Sequence, residues 1–210
     1  MKIGISQRIE KIISRDEIRD TIDHRIINWL STIGLIPILI PNSLIYENLT
    51  YNKQKLLKRW LEQTKLDAII LSGGNNIGEM ILRDLTERYL LDWARKNNVP
   101  VLGICRGMQM MSVYFGGQLE KKTGHVATRH KLIFDSNKLL LPKNVNSFHQ
   151  FTLIKCPQMF TVMATSEDGC IEAIIHKKLP WEGWMWHPER EIEINKIETE
   201  RFKKLIGYKK

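Results

Sequence analysis

The chain of 210 residues is 43% hydrophobic and 26% charged, which suits one globular domain with a substantial core and excludes a disordered chain. Lysine and arginine number 32 against 23 aspartates and glutamates, and the formal charge of +9 favours anionic partners. The lysines are scattered, at Lys53, Lys55 and Lys58, then Lys121 and Lys122, then Lys203, Lys204, Lys209 and Lys210, and no recognition motif accompanies them, which speaks against nucleic-acid binding.

The opening MKIGISQRIE holds a short β-compatible run, Lys2 to Ile5, and then turns polar without the apolar run of a signal peptide. Asp16 to Ile33 carries Ile18, Ile22, Ile26, Ile27, Trp29 and Leu30 at helical spacing and stops at Gly34. Leu35 to Ile40 reads as a second strand, Asn52 to Thr64 as a helix and Asp67 to Leu71 as a third strand. Ile81 to Lys96 reads as a helix burying Leu82, Leu85, Tyr89 and Trp93, Val99 to Ile104 as a fourth strand, and a further helix starts near Gly107. This order predicts an α/β fold, an open, mostly parallel sheet with helices on both faces. After Gly117 short β-rich runs follow: Lys131 to Phe134, Phe151 to Ile154, Thr161 to Ala164, Ile171 to His176 and Gly183 to Trp186. They are expected to extend the sheet or pack on its edge. No apolar stretch is long enough to span a bilayer, and Cys105, Cys156 and Cys170 form no CxxC pair, so a cytoplasmic protein with reduced thiols, without disulfides or a zinc knuckle, is expected.

Chemistry in open α/β sheets sits at the carboxyl ends of the strands. Cys105 ends an apolar strand and begins a helix, where the dipole favours a thiolate, and Gly103 and Gly107 allow a sharp turn and close substrate approach. That is the logic of a nucleophile elbow with cysteine in place of serine; an inert buried cysteine fits the segment equally well. In WMWHPER, Pro188 pushes His187 into an extended conformation, so Glu189 can face the same side and orient the imidazole toward the thiol. A solvated surface turn is the plainer alternative. In LSGGNNIGE the spacing of Gly73 and Gly78 is that of a phosphate loop, but Glu79 stands where lysine is required and Asn75 where the dinucleotide fingerprint needs glycine. The double glycine can instead offer backbone N–H groups to an oxyanion, with the N–H of Arg106, or be an ordinary turn. His125 and His130, five apart, match no usual zinc spacing and are expected in loop or core roles. Cys156 and Cys170 are expected as small buried hydrophobes, and Trp181, Trp184 and Trp186 as strand-face packing, with Trp181 a candidate for a pocket mouth.

Taken together, GICRGMQ, SGG and HPE resemble the class I glutamine amidotransferase family over nearly the whole chain. VNSFHQF is similar to the VNSxHxQ signature of its stand-alone γ-glutamyl hydrolase branch, with Phe151 in place of the last glutamine. The resemblance implies a flavodoxin-like fold as a single domain over residues 1–210, and hydrolysis of a γ-glutamyl amide through a cysteine thioester, with no metal or organic cofactor. It implies Cys105 as nucleophile, His187 as base and acid, and Glu189 as its partner. Backbone N–H groups of Gly74 and Arg106 would form the oxyanion hole. Gly73, Gln109, Ser147, Phe148 and His149 would bind the glutamyl moiety. In length and in MKIGISQR, SGGNNIG and VNSFHQF the chain looks most like small bacterial γ-glutamyl-CDP-amidate hydrolases of capsule phosphoramidate synthesis, which release glutamate and cytidine diphosphoramidate. The positive charge suits that anionic leaving group, with Arg8, Asn75, Arg106, Arg129 and Arg190 as possible contacts, the arginines because each lies in or near a motif loop. A γ-glutamyl-γ-aminobutyrate hydrolase and a glutaminase subunit serving a separate synthetase are the alternatives; the chain leaves no room for a synthetase domain, and a synthetase partner is not favoured. The expected partner is a small γ-glutamyl amide, with neither nucleic acid nor membrane.

Overall fold

Ala68–Leu71 and Val101–Ile104 are unbroken apolar tetrapeptides buried at every residue, the pattern of strands covered on both faces. In the computed structural model, which describes residues 1–45 and 53–208, they lie at the centre of a sheet of seven strands. Asn52, Lys209 and Lys210 lie outside the described residues, as does the side chain of Lys53. In chain order the elements are β1 (Lys2–Ser6), β2 (Arg8–Ile12), β3 (Glu17–Thr21), α1 (His24–Thr32), β4 (Ile36–Ile40), α2 (Lys53–Thr64), β5 (Ala68–Leu71), α3 (Ile81–Asn97) and β6 (Val101–Ile104). There follow α4 (Arg106–Tyr114), β7 (Leu119–Lys121), β8 (Val126–Lys131), β9 (Asn144–Phe148), β10 (Phe151–Leu153), β11 (Phe160–Thr165), β12 (Ile171–His176), β13 (Trp181–Trp184) and α5 (Lys196–Leu205).

The main sheet runs β11-β12-β13-β6-β5-β1-β4. From β13 to β4 all pairs are parallel, and β11 and β12 add antiparallel strands at one edge. The five parallel strands follow the flavodoxin-like order. Ile26, Trp29 and Leu30 of α1 and Phe202 of α5 pack on one face; Leu57 and Leu61 of α2, Leu90 and Leu91 of α3 and Met108 and Met111 of α4 pack on the other. The expected α/β architecture is therefore present, and β11 to β13 extend the sheet as expected. No helix among the described residues is long and apolar enough to cross a membrane.

Several expected elements differ. The helix expected over Asp16 to Ile33 starts only at His24; before it, β2 and β3 form an antiparallel hairpin. Asp16 at φ 51° closes that hairpin, Asp23 caps α1 by accepting from the Arg25 N–H at 3.0 Å, and Ile18, counted as a helical core position, is 66% exposed. In α3 the buried stripe is Arg83, Thr86, Glu87, Leu90, Leu91 and Ala94, while Leu85 is exposed and Leu82, Tyr89 and Trp93 are half-buried. A buried Arg83–Glu87 ion pair lies on the inward side with Leu90 and Leu91, one position round the helix from Leu82 and Leu85. The strand expected over Lys131 to Phe134 lies earlier, as β8, where VATRHK lacks an apolar alternation. The strand expected over Gly183 to Trp186 is Trp181–Trp184. Trp181 is fully buried beside Tyr114, Phe115 and His176 and is not among the residues lining the cleft over Cys105.

Candidate active site

Cys105 follows β6 and precedes α4, and its own backbone takes the strain of the turn, at φ 51° and ψ −105°. Such a conformation costs a non-glycine residue about 1–3 kcal/mol and persists only where surrounding contacts enforce it. Gly103 and Gly107 enforce it by close packing, not by unusual backbone angles of their own. A Cβ on Gly107 would stand 2.0 Å from the Leu71 carbonyl oxygen, and one on Gly103 would stand 2.6 Å from the Gly107 carbonyl carbon. The turn is fixed further by the Cys105 N–H donating to the Trp184 carbonyl at 2.7 Å and the Gln109 N–H donating to the Cys105 carbonyl at 3.1 Å.

The parallel pairing of β13 with β6 sets Trp184 beside Ile104, so the chain leaving β13 passes the thiol and His187 comes to it. His187 is buried; a Cβ built on Gly73 would be 2.6 Å from its Cε1 and 3.6 Å from the Cys105 Cβ, which places the imidazole and the thiol at one glycine. His187 Nδ1 is 2.7 Å from Glu189 Oε1. Glu189 reaches it from a short 3-10 turn, Pro188–Arg190, and not from extended chain as expected. Burial works against the charged imidazole, but the charges of Glu189 and Cys105 outweigh it and lift His187 to about 9. Asn146 clamps the His187 backbone at both ends, donating from Nδ2 to its carbonyl at 2.7 Å and accepting its N–H at Oδ1 at 3.0 Å. Asn146 lies within VNSFHQF, yet its role depends on a residue 41 positions away.

Beneath the loop after β5 lies a network with no sequence signature. The Arg83 guanidinium donates to the carbonyls of Ser72 (2.6 Å), Gly73 (3.1 Å) and Gly74 (2.7 Å), and its Nε donates to Glu87 at 3.1 Å. Because a trans peptide points its N–H opposite its C=O, holding the Gly73 carbonyl aims the Gly74 N–H away from Arg83. Gly74, at φ 87°, lines the cleft. Burial pulls Arg83 down to about 10 despite Glu87, leaving it charged at neutral pH. Glu87 also accepts from the Ser6 hydroxyl at 2.8 Å and from Arg106, and burial, which would raise its carboxyl, loses to Arg106 and Arg83, which lower it. The Arg106 side chain is buried against Glu87 and Asp84, so it is committed to this network and not open to an anionic leaving group.

A cleft of about 370 Å³ opens over the thiol, lined among others by Gly74, Cys105, Arg106, Gln109, Phe148 and His149. Asn75 also lines it, although its side chain is engaged with the Ile9 backbone at 3.0 and 3.1 Å, tying the hairpin to the loop. Gln109 donates to the Phe151 carbonyl at 2.9 Å. Ser147 is not among the lining residues; its hydroxyl donates to the His125 carbonyl at 2.7 Å. Phe148 stands edge-on to His187 at 5.9 Å, with the Arg190 guanidinium 4.6 Å over its ring. Arg8 Nε donates to the Gly73 carbonyl at 3.1 Å, while Arg129 is paired outward with Glu191. Burial raises the Asp23 carboxyl, but its backbone bond and the charges of Arg190, Arg25 and Arg8 together outweigh that and lower it, so three guanidiniums act on this one carboxylate. Cys170 is buried, as expected, whereas Cys156 is only half-buried. His125 and His130, expected in loop or core roles, come together with ring centroids 4.2 Å apart.

A buried thiol, an imidazole held by a carboxylate and a Gly74 N–H turned away from Arg83 can together attack a carbonyl and stabilise its oxyanion. Comparison with known proteins agrees. The chain is 32% identical over 207 residues to the gamma-glutamyl-CDP-amidate hydrolase of Campylobacter jejuni, covering 94% of each chain. It is 29% identical over 192 residues to a glutamine-hydrolysing GMP synthase subunit of Methanocaldococcus jannaschii, covering 89% of this chain and 93% of that one. A crystal structure of a candidate GMP synthase subunit from Thermoplasma acidophilum superposes with a TM-score of 0.71 at 24% identity, covering 99% of this chain and 92% of that one. The sequence profile of the family described as Peptidase C26 matches residues 3–189, and the chain belongs to that family.

Proposed function

We propose that this enzyme, a cysteine hydrolase of γ-glutamyl amides, works through Cys105, His187 and Glu189, and that its substrate is γ-glutamyl-CDP-amidate. The observation that carries the catalytic reading is the buried 2.7 Å His187–Glu189 contact beside a thiol held on a strained elbow. The Cys105 sulfur, as thiolate, attacks the γ-carbonyl carbon, and the oxyanion that forms accepts from the N–H groups of Gly74 and Arg106. His187 delivers its proton to the leaving nitrogen as the C–N bond breaks, leaving a γ-glutamyl thioester and the free amine compound. Water then gives a proton back to His187 while its oxygen attacks the thioester carbon; the C–S bond breaks, releasing glutamate and regenerating the thiolate. Glu189 fixes the imidazole tautomer and supports its charge throughout. Gly73 keeps room beside the imidazole, and Gln109, Phe148 and His149 shape the glutamyl pocket.

The substrate reading is supported by similarity to the Campylobacter jejuni hydrolase and by the Arg8 and Arg190 guanidiniums beside the cleft, which suit a leaving group that carries a diphosphate. Its place would be in cytoplasmic capsule phosphoramidate synthesis, where it would release glutamate and cytidine diphosphoramidate. A second reading, a glutaminase subunit delivering ammonia to a separate synthetase, is favoured by similarity to the GMP synthase subunit of Methanocaldococcus jannaschii. Glutamate release from γ-glutamyl-CDP-amidate, γ-glutamyl-γ-aminobutyrate and glutamine separates them. Turnover of the CDP conjugate at least 100-fold above the other two is expected, whereas comparable rates on all three would overturn the substrate assignment, and activity confined to glutamine would support the glutaminase.

A further inference from the structure

Three histidines and a glutamate converge where β8, β9 and β12 meet. The five-residue spacing of His125 and His130 would normally put them on opposite faces of a strand, but the register shift between Val126 and Thr128, with Ala127 at φ 53°, brings them to one side. One donor atom from each of His125, His130, His149 and Glu172 lies within 4.8 Å of the other three. His125 Nδ1 is 3.2 Å from His149 Nε2, and Glu172 Oε1 is 3.8 Å from the first and 3.4 Å from the second. Donors about 2.0–2.1 Å from a tetrahedral zinc ion stand about 3.3 Å from each other, close to these separations.

The outer hydrogen bonds fix which nitrogens face inward. His125 Nε2 meets Asp168 Oδ2 at 2.9 Å, and His149 Nδ1 meets the Phe151 carbonyl at 3.1 Å. A carboxylate and a carbonyl only accept, so these outer nitrogens carry the ring protons. In neutral rings the inward nitrogens then present lone pairs to each other and to a carboxylate, three acceptors in contact with no donor among them. Glu172 is fully buried, yet neither of its oxygens has a hydrogen-bond partner among the described residues, and the buried Nε2 of His130 has none either. An uncompensated buried carboxylate is costly, and a cation at the centre of the cluster answers every one of these groups at once.

We propose that His125, His130, His149 and Glu172 bind one divalent transition-metal ion of the zinc class. Three imidazoles and one carboxylate are borderline ligands that suit zinc or cobalt and not magnesium or calcium. Asp168 and the Phe151 carbonyl are the outer partners that orient the two rings, and the half-exposed Asp168 and half-buried His130 give the ion a way in. The site is structural: it ties β12 to the β8–β9 pair, and through His149 it holds the segment that carries Phe148 into the wall of the cleft.

The test is titration of the chelator-stripped full chain with Co2+, followed by visible absorption, and then with Zn2+, followed by thermal unfolding. One equivalent of Co2+ is expected to give tetrahedral d–d bands without thiolate charge transfer, displaced by one equivalent of Zn2+, and Zn2+ is expected to raise Tm. Glu172→Gln and His130→Ala should each weaken affinity more than roughly 100-fold, Asp168→Asn by about 10–100-fold, and Cys105→Ala should leave the spectrum unchanged. His130 is the most exposed of the four, so its variant carries the test if Glu172→Gln fails to fold. No tetrahedral spectrum in the wild-type chain would overturn the proposal and leave protons to close the cluster. Thiolate charge transfer, or affinity unchanged in the His130 and Glu172 variants, would overturn it by placing the ion elsewhere.

Discussion

At Cys105, strain, burial and a neighbouring ion pair meet on one side chain. Against the pull of burial, Glu189 and Cys105 raise His187 to about 9, so the proton that the proposed mechanism delivers to the leaving amine is present at neutral pH and lost in alkali. The kcat/KM profile is therefore expected to fall on its alkaline side with an apparent pKa of about 9. Replacing Glu189 by Gln removes the largest raising influence, and is expected to move that limb to lower pH and to reduce kcat by about 10²–10⁴-fold. An unmoved limb would mean that another group sets it. Asn146→Ala frees the His187 backbone, and a fall in kcat with little change in KM is expected from steady-state kinetics. The three residues of the proposed triad were legible in the sequence because each stands in a short local pattern, a glycine-flanked strand end or a His-Pro-Glu trimer. Asn146 and Arg83 were not, since what they do is defined by backbone groups of other segments. Arg106 was read as a possible anion contact because a charge in a motif loop looks available until its buried partners are seen.

The elbow works only because α4 lies against β5 and β6 at backbone distance. Gly107→Ala pushes a methyl group into the Leu71 carbonyl and is expected to destabilise the chain by about 1–3 kcal/mol or more, measured by urea unfolding. Glu87→Gln leaves two buried guanidiniums sharing a neutral group, and a loss of about 3–5 kcal/mol is expected. A loss below about 1 kcal/mol would show that the network under the Ser72–Gly74 loop is dispensable. The strands of the parallel sheet were readable because burial on both faces leaves continuous apolar runs. The hairpin of β2 and β3 was not, because Ile18, Ile22 and Ile26 repeat at helical spacing while strand pairing to Arg8–Ile12 governs the first of them. In α3 the same pattern misled by one position on the helix, since the Arg83–Glu87 ion pair shares the inward side with Leu90 and Leu91 while Leu82 and Leu85 do not.

Across the whole molecule, buried carboxyls give the fold its pH dependence. Glu198 of α5 is raised from 4.5 to about 8 by burial and by the charges of Glu191 and Glu189. Between those values the folded chain holds a proton that the unfolded chain has lost, so raising the pH through that window favours unfolding. His187 acts in the same direction, its contribution being full below 6.5 and lost as the pH rises through about 9. Glu198→Gln is expected to be more stable than the wild type at pH 9, by on the order of a few kcal/mol, and close to it at pH 4; equal stability at both would show that Glu198 is not protonated in the fold. The chemistry proposed for the cleft converges on one covalent species, and trapping it is the most direct test. Mass spectrometry of acid-quenched enzyme mixed with γ-glutamyl-CDP-amidate is expected to find a γ-glutamyl thioester on the Cys105 peptide, absent in Cys105→Ala and converted to γ-glutamyl hydroxamate by hydroxylamine. Turnover with no adduct at Cys105, or turnover that survives Cys105→Ala, would contradict the account.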